Sequence, residues 1–149
     1  MKFMNYRFTT SLPYLLNRVG VRMGEIFSER LLEYKVTLPM YRVMAVLRQE
    51  GKQSLGDLSN MVTVELSTLS RLIKSMKNRG LVSSIRLEEN ARMVHIDLTE
   101  QGHLLIEKLM PVAAEFESVG TASFNDDQIE WLKNALIQMG ENFEELHFK

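Results

Sequence analysis

ELSTLSRLIKSMKNRG, residues 65–80, is the stretch on which the reading of this chain turns. Leu66, Leu69, Leu72, Ile73 and Met76 recur at three- and four-residue steps, so they share one face of a helix and are expected in the core. Ser67, Thr68, Ser70, Arg71 and Lys74 are left on or near the opposite side, and Gly80 ends the segment. A solvated surface helix has this pattern, and so does a helix that lies on something polar and anionic. The flanking sequence has to separate the two.

Upstream, Ser11 can cap a helix with Pro13 in its first turn, where a missing N–H costs nothing, and an apolar period from Leu12 to Leu31 carries that helix to about Tyr34. Thr37 and Pro39 repeat the start signal for a second helix, which Gly51 ends. Ser54 with Asp57 opens a short third helix, SLGDLSNMV, in a capping-box arrangement with Asp in place of Glu. Two helices, a brief TVE turn and a helix with a polar outer face form a helix-turn-helix. Downstream of Gly80 the period changes: LVSSIRL and MVHIDLT are β-prone, with EENAR as the expected hairpin tip. A hairpin directly after the candidate recognition helix is a wing, and it favours the anion-facing reading.

Thr99 can cap a further helix, in which Pro111 predicts a kink or a break. Asn125 and Gln128 form a capping box before the last helix. The expected fold class is mainly α with a small β-hairpin wing. Residues 1–36 and 100–149 would form a dimerisation region around a winged helix-turn-helix at 37–99, in one compact domain overall.

Hydroxyls and an Arg near the N-terminal half of a helix suit a major groove. There Arg can make a bidentate bond to guanine, and Ser or Thr can bond to base or phosphate. Lys74, Lys77 and Arg79 are placed for phosphates, whose neutralisation releases counterions.

TLPMYRVMAVLRQEG, SLGDLSNMVTVELSTLSRLIKSMKNRGLV and ARMVHIDLTEQG together resemble the MarR family of winged-helix transcriptional regulators. The similarity runs from about Ser11 to the C-terminus and is most specific in the spacing from Ser67 through RG-LV to LT-x-x-G. The resemblance implies a dimer whose terminal helices interleave between protomers, with DNA read by the fourth helix. In many members a small ligand or an oxidant releases the operator. It assigns Ser67, Thr68, Ser70 and Arg71 to base-reading positions and Lys74 to a phosphate-proximal one. In the wing, where the family usually shows an acidic residue and then a spaced Asp-Arg-Arg, this chain has Leu87, then Asn90, Ala91 and Arg92. Arg92 is the remaining cation and the expected minor-groove residue.

Charge distribution agrees. Of the 149 residues, 1–63 carry nine Lys/Arg against five Asp/Glu, 64–96 six against three, and 97–149 three against eleven. A net charge of -1 thus hides two cationic thirds and an acidic one. The composition, 45% hydrophobic and 25% charged, is that of a globular protein, with neither a long apolar run nor a secretory signal. A cytoplasmic protein that does not enter a membrane is expected.

Cys is absent, which excludes disulfides, thiolate metal ligands and thiol oxidant sensing. A bound ligand is then the remaining common route of control within the resembled family. Its members often take aromatic or phenolic carboxylates where the first helix meets the winged unit. Arg18 and Met23 on the first helix, and Tyr41 and Met44 on the second, are the effector candidates. A guanidinium beside apolar walls suits a planar carboxylate. An intersubunit salt bridge is the competing role for Arg18.

His103 and Glu107, four apart on a helix, fit a solvated polar pair better than two metal ligands. No nucleophile–base spacing, P-loop or HExxH motif appears, so neither catalysis, a cofactor nor a metal is expected. The sequence therefore points to a homodimeric repressor of a palindromic double-stranded DNA operator, responsive to a small aromatic carboxylate. The rivals are a winged-helix protein-interaction module without DNA binding and a metal-responsive regulator using His103 or His147.

Overall fold

The computed structural model describes residues 5–87 and 89–148, and for residues 87, 90–92, 147 and 148 it describes the backbone alone. Along the chain run α1 (Leu12–Leu31), α2 (Leu38–Glu50), β1 (Gln53–Ser54), α3 (Leu55–Val62), α4 (Leu66–Asn78), β2 (Val82–Leu87), β3 (Asn90–Leu98), α5 (Glu100–Gly120) and α6 (Asp126–Glu144). A 3-10 turn, Leu32–Tyr34, follows α1.

Four helices start where local chemistry dictates. Ser11 Oγ accepts the Tyr14 N–H at 3.4 Å, Thr37 Oγ1 the Met40 N–H at 3.3 Å, and Ser54 Oγ the Asp57 N–H at 3.1 Å. At α6, Asn125 Oδ1 accepts the Gln128 N–H at 2.9 Å while Gln128 Oε1 accepts the Asn125 N–H at 3.0 Å, a complete capping box. Each cap satisfies a donor that the helix leaves without a partner, a contribution of about 1 kcal/mol.

β2 and β3 form the expected hairpin, and β1 adds to the outer edge of β3, giving an antiparallel sheet of order β1-β3-β2. β1 was not expected: it is two residues long, too short for a period, and exists because Gln53 and Ser54 pair with Ile96 and His95. The hairpin tip is also shorter than EENAR. Asn90, Ala91 and Arg92 already belong to β3, and the register shifts between Arg86 and Leu87, so the extra residues are absorbed as a strand irregularity.

α5 runs unbroken through Pro111, so the break that Pro111 allows does not occur. The lost backbone bond costs about 3 kcal/mol. Complete burial of Ile106 and Leu109 in the turns just before it contributes on that scale, at about 1.5–3 kcal/mol each.

Two compact units divide the chain, Met1–Ala113 and Ala114–Lys149. All the buried apolar side chains among the described residues belong to the first, where Leu31, Met44, Leu47, Leu58, Leu69 and Met76 form the centre of the core. In the second, α6 buries none of its residues: Trp131 is 70% and Ile137 61% exposed. No helix among the described residues is long and apolar enough to cross a membrane.

Candidate nucleic-acid interface

The turn into α4 is built from the chain's own hydrogen bonds. Thr63 takes a left-handed conformation at φ 57, which lets the Val64 N–H reach the Ser59 carbonyl at 3.2 Å while the Ser59 hydroxyl donates to the Val64 carbonyl. This closes α3 and aims the next helix. Leu69, Ile73 and Met76 then bury one side of α4, as the apolar period requires. Leu66 departs from that expectation: it is 51% exposed, because it is the first residue of the helix and precedes the turn that meets the core. Leu72 is only half-buried, at the edge of the face.

Ser67, Thr68, Ser70, Arg71 and Lys74 are all exposed. Arg71 and Lys74 make no ion pair or hydrogen bond with a described residue, so both charges face outward with their donors available. Ser67 is already engaged, its hydroxyl donating to Glu65 Oε1 at 2.7 Å. Glu65 is the N-cap residue of α4, and its side chain makes no capping bond to the helix.

At the other end of α4 the structure explains the RG-LV and LT-x-x-G spacing. Gly80, at φ 71, turns the chain, with its N–H on the Lys77 carbonyl and the Leu81 N–H on the Met76 carbonyl at 3.0 Å. The Thr99 hydroxyl donates to the Gly80 carbonyl and accepts the Gly102 N–H at 3.0 Å, capping α5 against the end of α4. Arg79, expected to face a phosphate, instead directs its guanidinium to the Lys35 carbonyl.

Arg86 is exposed on β2. Arg92 is on β3, and its side chain lies outside the described residues. His95, on the central strand, is half-buried, and its buried Nδ1 has no hydrogen-bond partner among the described residues.

The effector candidates are not brought together. Arg18 Nη1 donates to Tyr14 Oη at 2.8 Å and the guanidinium stands 6.0 Å from the Tyr14 ring centre, so a neighbour on its own helix takes it. Met44 is wholly buried, on the inner face of α2 beside Val43 and Leu47, and lines neither of the two clefts that Arg42 borders. Met23 is exposed, and Tyr41 packs edge-on against Phe27 at 4.9 Å.

Tyr41 does line a cleft of about 530 Å³ with Arg42, Ala45, Val46 and Met61. A second cleft of about 470 Å³, lined by Asn17, Gly20, Val21, Gly24, Leu38 and Arg42, lies between α1 and α2. Arg42 borders both. Sequence reasoning missed it, since one Arg among the polar positions of a helix carries no signal until its neighbours fold around it.

His103 and Glu107 lie one helical turn apart on α5. Glu107 is held by Arg48, with Nε to Oε1 at 2.5 Å and Nη2 to Oε2 at 3.3 Å. That hydrogen bond keeps the Glu107 carboxyl below the ordinary carboxylate range and raises Arg48. Among the described residues no group of three or more His, Cys, Asp or Glu could hold a metal, and the His147 side chain lies outside them.

With this geometry in hand, a family model described as transcriptional regulator SarA/Rot matches residues 25–109. The HTH-type transcriptional repressor IacR of Pseudomonas putida is 27% identical over 133 residues, covering 89% of this chain and 80% of IacR. The organic hydroperoxide resistance transcriptional regulator of Bacillus subtilis is 27% identical over 148 residues, covering 99% and 97%. Among solved structures, a MarR family transcriptional regulator from Silicibacter pomeroyi superposes with a TM-score of 0.84 at 21% identity, over 91% of each chain. BpsR of Bordetella bronchiseptica, whose DNA binding is regulated by 6-hydroxynicotinic acid, gives 0.81 at 25% identity, over 91% and 96%. The resemblance drawn from α4 and the wing is thereby borne out: the chain belongs to the SarA/Rot family of winged-helix transcriptional regulators, and its fold is that of MarR regulators.

Proposed function

We propose that this DNA-binding regulator acts in the cytoplasm as a homodimeric repressor of a near-palindromic operator and is released by a small aromatic carboxylate. The observation that carries the reading is the two-sidedness of α4. Its apolar side is locked into the core, while Thr68, Ser70, Arg71 and Lys74 are exposed on the other, without a side-chain hydrogen bond or ion pair to a described residue. Ser67, Thr68, Ser70 and Arg71 read bases, Lys74 holds a phosphate, and Arg92 on the wing reaches the minor groove. The role is regulatory rather than catalytic.

Dimerisation through residues 1–36 and 100–149 is supported by apolar side chains that each unit leaves uncovered: Leu12 (60%) and Val19 (56%) on α1, Trp131 (70%) and Ile137 (61%) on α6. A two-fold dimer sets its recognition helices about 34–36 Å apart, one duplex turn, which demands the palindrome. For the effector, the clefts beside Arg42 offer what Arg18 does not, a guanidinium next to apolar walls that no described residue pairs. The regulation of BpsR by 6-hydroxynicotinic acid supports the ligand class.

The test is selection of duplexes from a random pool, followed by titration of the selected site and of random DNA across salt concentrations. An operator that binds at least about a thousandfold tighter than random DNA is expected, with a slope near −0.9 per phosphate neutralised. Equal affinity for every sequence would reject the operator.

A further inference from the structure

Arg79 closes α4 as its C-cap residue, yet its side chain serves a different helix. Nη1 donates to the carbonyl oxygen of Lys35, 44 residues earlier in the chain, at 2.5 Å, and lies 3.6 Å from Met40 Sδ. Lys35 ends the 3-10 turn that follows α1, in a left-handed conformation at φ 54, with its own N–H on the Leu32 carbonyl at 2.9 Å. Met40 is in the first turn of α2 and buried. One guanidinium therefore joins the end of the recognition helix, the end of α1 and the start of α2. Two of these three ends, those of α4 and α1, are C-terminal, where the aligned peptide dipoles leave partial negative charge and favour a cation; the contact with α2 is to the Met40 thioether rather than to its N-terminal N–H groups.

We propose that Arg79 is a positioning residue that fixes the tilt of α4 relative to the α1–α2 junction, and so passes the attitude of α1 to the DNA-reading face. The proposal rests on the reading of α4 as the recognition helix. The apolar contacts of Leu69, Ile73 and Met76 hold α4 down but are non-directional. A charged hydrogen bond at its far end supplies direction. Leverage makes this matter: Ser67 is about 18 Å along the helix from Arg79. A tilt of about three degrees at Arg79 displaces Ser67 by about 1 Å, enough to take a base contact out of hydrogen-bond range.

The alternative is that Arg79 neutralises a phosphate, and the two predict different losses. Full-length Arg79→Ala and Arg79→Lys are compared with the parent on operator and random duplexes over a range of salt, with amide exchange measured on the free proteins. Positioning predicts that Arg79→Ala weakens operator binding about tenfold, the scale of one charged hydrogen bond, while random-DNA affinity and the salt slope stay unchanged. Exchange should quicken at Lys35, Val36 and the last turn of α4. Arg79→Lys, which keeps one donor for the Lys35 carbonyl, should recover part of the operator affinity and remain usable if the Ala variant folds poorly.

A matching loss on both duplexes with a shallower salt slope would identify a phosphate contact and overturn the proposal. So would unchanged binding and exchange in both variants. If the parent binds no DNA, the reading of α4 has failed, and the exchange data alone then decide whether the tie exists.

Discussion

Gly102 places the first turn of α5 against the carbonyl oxygen of Leu81: a Cβ on Gly102 would lie 2.1 Å from that oxygen and 3.0 Å from Leu98 Cδ2. The carbonyl cannot swing aside freely, since it accepts the Thr99 N–H at 3.1 Å. Gly102→Ala should therefore cost about 1–3 kcal/mol by overpacking and lower the thermal midpoint by about 2–4 °C per kcal/mol. Gly56, in α3, has nothing within 4 Å of the same position, so Gly56→Ala should stabilise by about 0.5–1 kcal/mol. Thermal unfolding of the two variants should move in opposite directions. A Gly102→Ala protein as stable as the parent would contradict the packing.

Arg71 and Lys74 are both exposed and make no ion pair with a described residue, but they should fail differently. Arg71→Ala is expected to cost about 1–3 kcal/mol per half-site and to relax base preference. Lys74→Ala should weaken all sequences alike and reduce the salt slope by about one phosphate. Binding titrations on operator and point-mutated operators distinguish the two. If neither variant differs from the parent, α4 is a surface and not a reading head.

What could be read from the sequence was what short-range chemistry decides. Ser11, Thr37, Ser54 and Asn125 cap their helices because cap and acceptor are three residues apart, and the wing showed itself by its change of period. The polar face of α4 was legible for the same reason. Long-range partners were not. β1 exists only through its pairing with β3, and α5 runs on through Pro111 against the local signal for a break. Arg79, Arg18 and Arg42 look alike in a sequence. Only the fold shows that the first two are taken and that the third borders two clefts.

Arg48 and Glu107 link α2 to α5 at the surface, and their pairing has a signed pH dependence. The hydrogen bond from Arg48 lowers the folded-state pKa of Glu107, so its stabilisation is present above the ordinary carboxylate range and is lost as pH falls through the lowered value. Both groups are solvent-exposed, so the contribution is small. Glu107→Gln should be slightly less stable than the parent at neutral pH, and the gap should close in acid. Denaturant midpoints across that pH range measure it, and a gap that widens in acid would show that the pair does not act as an ion pair.

Ile137, on the uncovered face of α6, tests the dimer. Burying a charge against an apolar partner surface is costly, so Ile137→Asp should shift the light-scattering mass toward the monomer while circular dichroism keeps its helical signal. Operator affinity should fall with it, because each protomer supplies one half-site contact. A parent that is a stable monomer at micromolar concentration would remove the dimer, and with it the palindrome.

Arg42 offers the sharpest test of control. It borders clefts of about 530 and 470 Å³ and makes no ion pair or hydrogen bond with a described residue. Both volumes suit a small planar acid. Pairing of its guanidinium with a carboxylate is bidentate, which Lys cannot reproduce. To empty the operator the acid must bind the released state more tightly than the DNA-bound one, since equal affinity shifts nothing. Moving the population from 99:1 to 1:99 needs a preference of about ten-thousandfold. Arg42→Ala should therefore keep operator binding and lose release by aromatic acids. Arg42→Lys should respond only at higher ligand concentration, and Arg18→Ala should behave like the parent. Titrating benzoate, hydroxybenzoates and hydroxynicotinate against each protein, with operator release as the readout, separates the possibilities. Loss of release in Arg18→Ala but not in Arg42→Ala would return the site to α1, and no release by any acid would remove the ligand class.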